Sequence, residues 1–192
     1  MPEPAPLRLL SVNVSLARTV PWEGGTVSTG IYKVPARGRV RVGRLGLAGD
    51  EQADRRFHGG TAKAVYAYPS EHYAFWTKEL PGMELPWGFF GENLTTVGLE
   101  EDEVHVGDRF RIGTAVLEVT KPRFPCYKLA LRVGREDIID RFWRSGRSGF
   151  YSCLIEEGFV AAGDPIERLR TESASPTIAE VVRARLRQEG DE

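Results

Sequence analysis

Val104-His-Val-Gly-Asp-Arg-Phe-Arg-Ile-Gly-Thr-Ala-Val-Leu-Glu-Val-Thr120 is the stretch whose reading decides the fold class. Residues 104–106, 109–112 and 115–120 read as three short strands. Gly107-Asp108 and Gly113-Thr114 separate them as turns, the pattern of a β meander. C-terminal to it, Phe150–Ile155 and Ile166–Leu169 return to strand. N-terminal to it, Leu7–Val14, Gly38–Val42, Leu45–Leu47 and Ala64–Tyr68 read as strands, the last alternating small and large residues. Two helices interrupt the series. Ser70 is a good N-cap for a helix over 70–80, which Pro81-Gly82 stops. Ile138, Ile139, Phe142 and Trp143 share helical spacing over 136–144, with Gly146 as the stop. With 21 Gly and 12 Pro, the intervals between breakers suit strands better than a helical bundle. The predicted class is mostly β with a few helices (α+β), as a barrel or folded-over sheet.

The chain of 192 residues fits one domain with a modest extension. Residues 1–170 form the predicted β domain. Thr171–Pro176 is a linker by composition, and Ile178, Val181, Val182 and Leu186 then share one helical face, so 171–192 reads as linker plus C-terminal helix. Lys and Arg total 26 against 27 Asp and Glu, which argues against binding a nucleic-acid polymer. That balance still permits a local basic pocket for one small anionic ligand. No apolar run approaches the roughly 20 residues of a membrane span and no leader is evident, so a cytoplasmic, non-membrane protein is expected. The two cysteines, Cys126 and Cys153, match no metal-ligand spacing, and a structural zinc site is not expected.

Four segments carry candidate chemistry. In Pro122-Arg-Phe-Pro-Cys-Tyr-Lys-Leu129, Arg123 and Lys128 flank Cys126, and nearby cations favour thiolate, the form that attacks electrophiles or binds soft metals. A small buried apolar role is the plainer alternative for a cysteine. The Pro-bracketed turn after a strand tilts Cys126 toward reactivity, whereas Cys153, inside an alternating strand, reads as core. Gly49–Lys63 concentrates polar groups between two apolar strands. There Gly59 and Gly60 could form an anion nest, His58 could move a proton, and Lys63 could pair with a phosphate. Phe89-Phe-Gly-Glu-Asn-Leu-Thr95 could wall a pocket, with Asn93 either on its rim or only stabilising a turn. Ser145-Gly-Arg-Ser-Gly-Phe150 sets Arg147 and Ser148 between glycines, suited to an oxyanion contact, although a plain loop has the same composition. None of these is a Walker motif, a dinucleotide fingerprint or a hydrolase elbow.

Taken in order, Gly49-Asp50, Phe57-His-Gly-Gly60, the run Lys63–Tyr68, Gly91–Thr95, Pro122–Lys128 and Ser145–Phe150 resemble the MOSC domain, named for the C-terminal domain of molybdenum cofactor sulfurases. The resemblance is to its stand-alone bacterial YiiM-like branch and covers about residues 7–170. It implies a MOSC-type β-barrel with a short C-terminal helical extension, and a molybdenum–molybdopterin cofactor whose metal is ligated by Cys126. His58, Gly59, Gly60, Lys63, Arg123, Lys128, Arg147 and Ser148 become candidates for holding the cofactor, and His58 and Asn93 join Cys126 as candidate catalytic residues. The implied reaction is N–O cleavage of N-hydroxylated compounds of the hydroxylaminopurine type, hence detoxification. A non-catalytic carrier of the cofactor or its sulfur is the alternative. Electrons would come from a separate reductase, because no iron–sulfur pattern is present; a homodimer is admitted. Pyridoxal phosphate is not expected, since nothing here matches the aminotransferase-like part of the larger sulfurases. Full-length YiiM-like chains carry a further three-helix segment, of which residues 176–188 look like only the beginning.

Overall fold

Val65 and Ala67 belong to one apolar cluster, while Tyr66 and Tyr68 belong to the other. That period-two alternation makes this strand a wall between two cores. The structure, a computed structural model, describes residues 6–53 and 60–190. In chain order its strands are β1 (Arg8–Val14), β2 (Arg18–Trp22), β3 (Gly25–Thr29), β4 (Val34–Pro35), β5 (Val40–Gly43), β6 (Gly46–Leu47), β7 (Val65–Pro69), β8 (Leu94–Val97), β9 (Arg109–Ile112), β10 (Ala115–Pro122), β11 (Phe150–Glu156), β12 (Gly158–Val160) and β13 (Ile166–Arg170). The helices are α1 (Tyr73–Glu79), α2 (Tyr127–Val133), α3 (Ile138–Ser145) and α4 (Ile178–Gly190).

Eight strands form the main sheet, ordered β13-β9-β10-β11-β7-β8-β1-β4. All its pairings are antiparallel except β7 with β8. A parallel pair needs a crossover, and α1 with the loop over residues 80–93 supplies it. The sheet rolls until β1 meets the entry to β13. Arg8 bridges Pro165, Leu9 N–H donates to Asp164 O at 3.0 Å, and Gly163 N–H donates to Leu9 O at 2.7 Å. The predicted barrel therefore takes the form of a sheet-dominated α+β fold rolled on itself, with a single bridge at the seam in place of a continuous ladder. The inside of the roll is aliphatic, with Leu9, Val65, Leu94, Leu117 and Val160 among its buried residues. Outside it, α1, α2 and α3 bury an aromatic cluster in which Trp76 stacks on Phe142 at 5.4 Å and donates its indole N–H to the Tyr68 hydroxyl at 2.7 Å.

Several elements depart from the sequence reading. Residues 104–106 are not a strand. The Asp108 carboxylate accepts the His105 N–H and folds the segment into a turn, and Val104 and Val106 bond the backbone of residues 176–178 instead. The β2–β3 hairpin closes through Glu23-Gly24, both with positive φ, a two-residue turn that matches strand twist. Helix α2 starts immediately after Cys126, where the Pro-rich composition suggests only a turn, and Gly134 ends it. Residues 94–97 pair as a central strand. α4 buries Ile178 in the inner core. No helix among the described residues is long and apolar enough to cross a membrane.

Gly149 is the tightest point of the main sheet near the site. Its φ is +61°, and an added Cβ would lie 2.4 Å from Ala67 O and 2.8 Å from the rings of Tyr66 and Tyr68. Gly149→Ala is expected to cost about 3 kcal/mol and to lower the melting temperature by roughly 6–12 °C. Thermal unfolding checks this, and an unchanged midpoint would refute the packing argument.

Candidate functional site

β10 ends at Pro122, and the next four residues deliver Arg123 and Cys126 to one open cleft of about 110 Å³. Cys126 occupies the N-cap position of α2 with extended backbone, φ −137° and ψ 172°, and is half-buried. From other elements, Lys33, Asp50, Lys63, Tyr66, Asn93, Lys128 and Tyr151 reach the same cleft. Strands β7 and β11, paired through Tyr66 and Tyr151, form its back wall.

Arg123 is the dominant charge. It is only 6% exposed, its guanidinium lies over the rings of Tyr66 and Phe142 at 5.4 and 5.1 Å, and its backbone N–H is tied to Gly149 O at 3.2 Å. Its Nη1 has no hydrogen-bond partner among the described residues. Burial works against the charge, but Tyr66, Tyr151 and Cys126 more than offset it and move the pKa up. A buried cation with an unused donor is costly unless something anionic meets it. Lys63 approaches from the other side. Burial and Lys121 lower its pKa, while Cys126 pulls it back up, so the thiol and the ammonium sense each other. Lys128, 7% exposed, adds a third cation. The cleft is thus basic around one sulfur although the whole chain is close to neutral.

The polar floor is fixed by side chains distant in sequence. Lys33 is ion-paired with the Asp50 carboxylate, and both are buried. Asp50 also accepts Ser15 N–H at 2.9 Å and the Asn93 amide at 2.9 Å. The same amide donates to Asn13 O at 3.3 Å, and Asn93 Oδ1 accepts Tyr66 N–H at 3.1 Å. Every polar atom of the Asn93 side chain is therefore engaged in holding the cleft's segments together, which gives it a positioning role there. Gln52 clamps the neighbouring loop, accepting from Gly60 N–H and donating to Lys63 O.

Of the remaining candidates, His58 and Gly59 lie outside the described residues. Arg147 and Ser148 do not line this cleft. The Arg147 guanidinium lies 4.0 Å from the centre of the Phe75 ring, beside a separate depression that also contains His72 and Glu101. Ser148 is buried behind the wall, where its carbonyl accepts the Tyr66 hydroxyl at 2.9 Å. The close seating of Gly149 against Ala67 turns that loop away from the sulfur. Conversely, Lys33, Tyr66 and Tyr151 reach the cleft without belonging to a recognisable anion-binding motif. The Tyr66 alternation on β7 is the one local signal for any of them. Cys153 lies on β11 opposite Glu118, where burial, then Glu118, raises its pKa. Among the described residues no three His, Cys, Asp or Glu side chains converge as a metal site of their own.

The model of the MOSC domain family matches residues 54–167. Bacillus subtilis YflK, an uncharacterized protein, is 43% identical over 161 residues, covering 84% of this chain and 72% of that one. A Gibberella moniliformis protein named "Reductase" is 35% identical over 190 residues, covering 96% of this chain but 34% of its own length. The crystal structure of YiiM from Geobacillus stearothermophilus superposes with a TM-score of 0.80 at 34% identity, covering 95% of this chain and 85% of that one.

Proposed function

This chain belongs to the MOSC domain family, and from that premise we propose that it is a cytoplasmic molybdenum-cofactor-dependent oxidoreductase that reduces N-hydroxylated compounds. The observation that carries the reading is that Cys126 shares one basic cleft with the buried Arg123, whose Nη1 has no hydrogen-bond partner among the described residues. The donor set fits such a group. The Cys126 thiolate is an electron-rich sulfur donor that could add to the sulfur ligands a molybdenum–molybdopterin group would bring. Arg123, Lys63 and Lys128 offer charge-assisted donors to a pterin phosphate. The MOSC resemblance implies the same role for His58 and the Gly59-Gly60 amides.

When bound, the cofactor supplies two-electron redox chemistry that no side chain of this chain can. The protein's own contribution is to bind and orient. Cys126 would hold the metal and Arg123 a negative group against the Tyr66–Tyr151 wall, while the buried Lys33–Asp50–Asn93 floor keeps the cleft's polar geometry rigid. The overall conversion is R–NH–OH plus two electrons and two protons to R–NH2 and water. The electrons come from a separate reductase.

The test is reduction of 6-N-hydroxylaminopurine by the purified protein with a chemical or enzymatic electron donor. Protein from cells supplied with molybdate is expected to form adenine, and protein from tungstate-grown cells is not. Full activity in molybdenum-free protein would defeat the proposal. Bound cofactor with no turnover under any donor would favour the carrier alternative.

Arg123→Gln offers a second check. Removing the buried charge-assisted donor is expected to weaken cofactor retention by about 100-fold, read as molybdenum remaining after gel filtration. Retention equal to wild type would remove Arg123 from the cofactor site.

A further inference from the structure

We infer that Lys33, held by Asp50, is the proton donor of this cleft, delivering its proton to the oxygen that leaves as the N–O bond breaks. The inference rests on the reductase reading and adds to it a residue that the MOSC motifs do not mark.

Both side chains line the cleft that contains Cys126, yet the pair is buried. Buried ion pairs are weak devices for stability, so one facing a reaction cleft invites a chemical role. Asp50 is immobilised by Ser15 N–H and by the Asn93 amide, which aims the Lys33 ammonium. Asp50 and, deeper, Glu92 are the acids that act on Lys33, while Glu51, Cys126, Tyr66 and Tyr151 and the cations Arg123, Lys63 and Lys128 share its cleft. Burial lowers the Lys33 pKa and the two carboxylates offset it only in part. That direction brings a lysine closer to the range useful to a general acid. Asp50 also lines a second open cleft across the same loop, with Arg44, Glu51 and Gln52. Asp50 therefore borders both clefts, and reprotonation of the pair from the second, solvent-open one is part of the inference.

The balance is simple. The separate reductase is the source of the electron pair, and the N–O bond breaks. One proton passes from Lys33 Nζ to the departing oxygen, which leaves as water. A second proton, from solvent, goes to nitrogen. Lys33 is left as a neutral amine until it is recharged past Asp50.

Lys33→Arg keeps the charge against Asp50 but cannot release a proton in the working pH range. Its kcat is expected to fall by roughly 100-fold or more, with wild-type molybdenum content. The fall of wild-type kcat as pH rises through the Lys33 pKa is expected to vanish in the variant. Should arginine distort the floor, Lys33→Met combined with Asp50→Asn removes both charges, and is expected to show the same kinetic loss at full metal content. A readout independent of turnover is competitive acetylation of the purified chain with peptide mass spectrometry, in which Lys33 is expected to titrate below the surface lysines. Near-normal kcat with an intact basic limb in both variants, or Lys33 titrating with the surface lysines, overturns the inference while the reductase reading stands. A wild-type chain without turnover under any donor overturns both.

Discussion

Cys126→Ser is expected to lower turnover of an N-hydroxylated purine by more than about 1,000-fold, while the protein stays folded. The side chain is half-buried at the edge of α2 and is absent from both apolar clusters, so the change leaves the core intact. What it removes is the only thiol in the cleft, replacing a soft anionic ligand with a hydroxyl that stays protonated at neutral pH. The cations around it sharpen the effect. Arg123 and Lys63 both interact electrostatically with this thiol, and neither would find an anion in its place. Cys153→Ala serves as the control. That residue lies on β11, outside the cleft lining, with a pKa raised by burial and Glu118, and its loss is expected to leave kcat within about twofold. Comparable losses in both variants would mean that the sulfur in the cleft has no special role.

Glu92→Ala is expected to be the most damaging single change to the fold near the site. Glu92 is 0% exposed, and its carboxylate accepts the Tyr73 hydroxyl, Gly88 N–H at 2.8 Å, Phe90 N–H at 3.1 Å and the Thr95 hydroxyl at 3.0 Å. Burial pushes its pKa up, and the donors from Tyr73, Gly88 and Thr95 pull it back. Alanine would strand these donors in a dry interior at a cost of about 3–5 kcal/mol. At two to four degrees per kcal/mol for a chain of this size, the melting temperature should fall by roughly 10 °C. The loop it braces carries Phe90 and Asn93 to the cleft, so cofactor retention should weaken in parallel. Glu92→Gln keeps one acceptor and is expected to lose about half as much. Equal melting temperatures for wild type and Glu92→Ala would show that the carboxylate is dispensable.

The sequence carries the strands better than it carries the site. Local alternation is enough to mark β7, β9, β10 and β11, because each turns alternate side chains into the inner aliphatic core and the period is visible within four to eight residues. The hairpin over residues 18–29 and the start of α2 are harder to see. In the first, Pro21 interrupts the strand pattern; in the second, Pro122 and Pro125 give a helix entry the composition of a turn. Cys126 stands out through its neighbours Arg123 and Lys128, and the folded cleft unites all three. Lys33 does not stand out, since its significance depends on Asp50, 17 residues on, and on Asn93, which fixes that carboxylate from the loop before β8. The loop containing Arg147 and Ser148 has a composition that suits either an oxyanion contact or a plain loop; Gly149 passes close to β7, and the two residues lie outside the lining of the cleft that holds Cys126.

The most direct measurement is the molybdenum and pterin content of the freshly purified chain, made in cells that synthesise the cofactor, beside Cys126→Ser prepared in the same way. Near-stoichiometric molybdenum with an oxidisable pterin is expected in the wild-type protein and neither in the serine variant. Equal metal content in the two proteins, or none in a wild-type chain that nevertheless reduces N-hydroxylated substrate, would contradict that expectation.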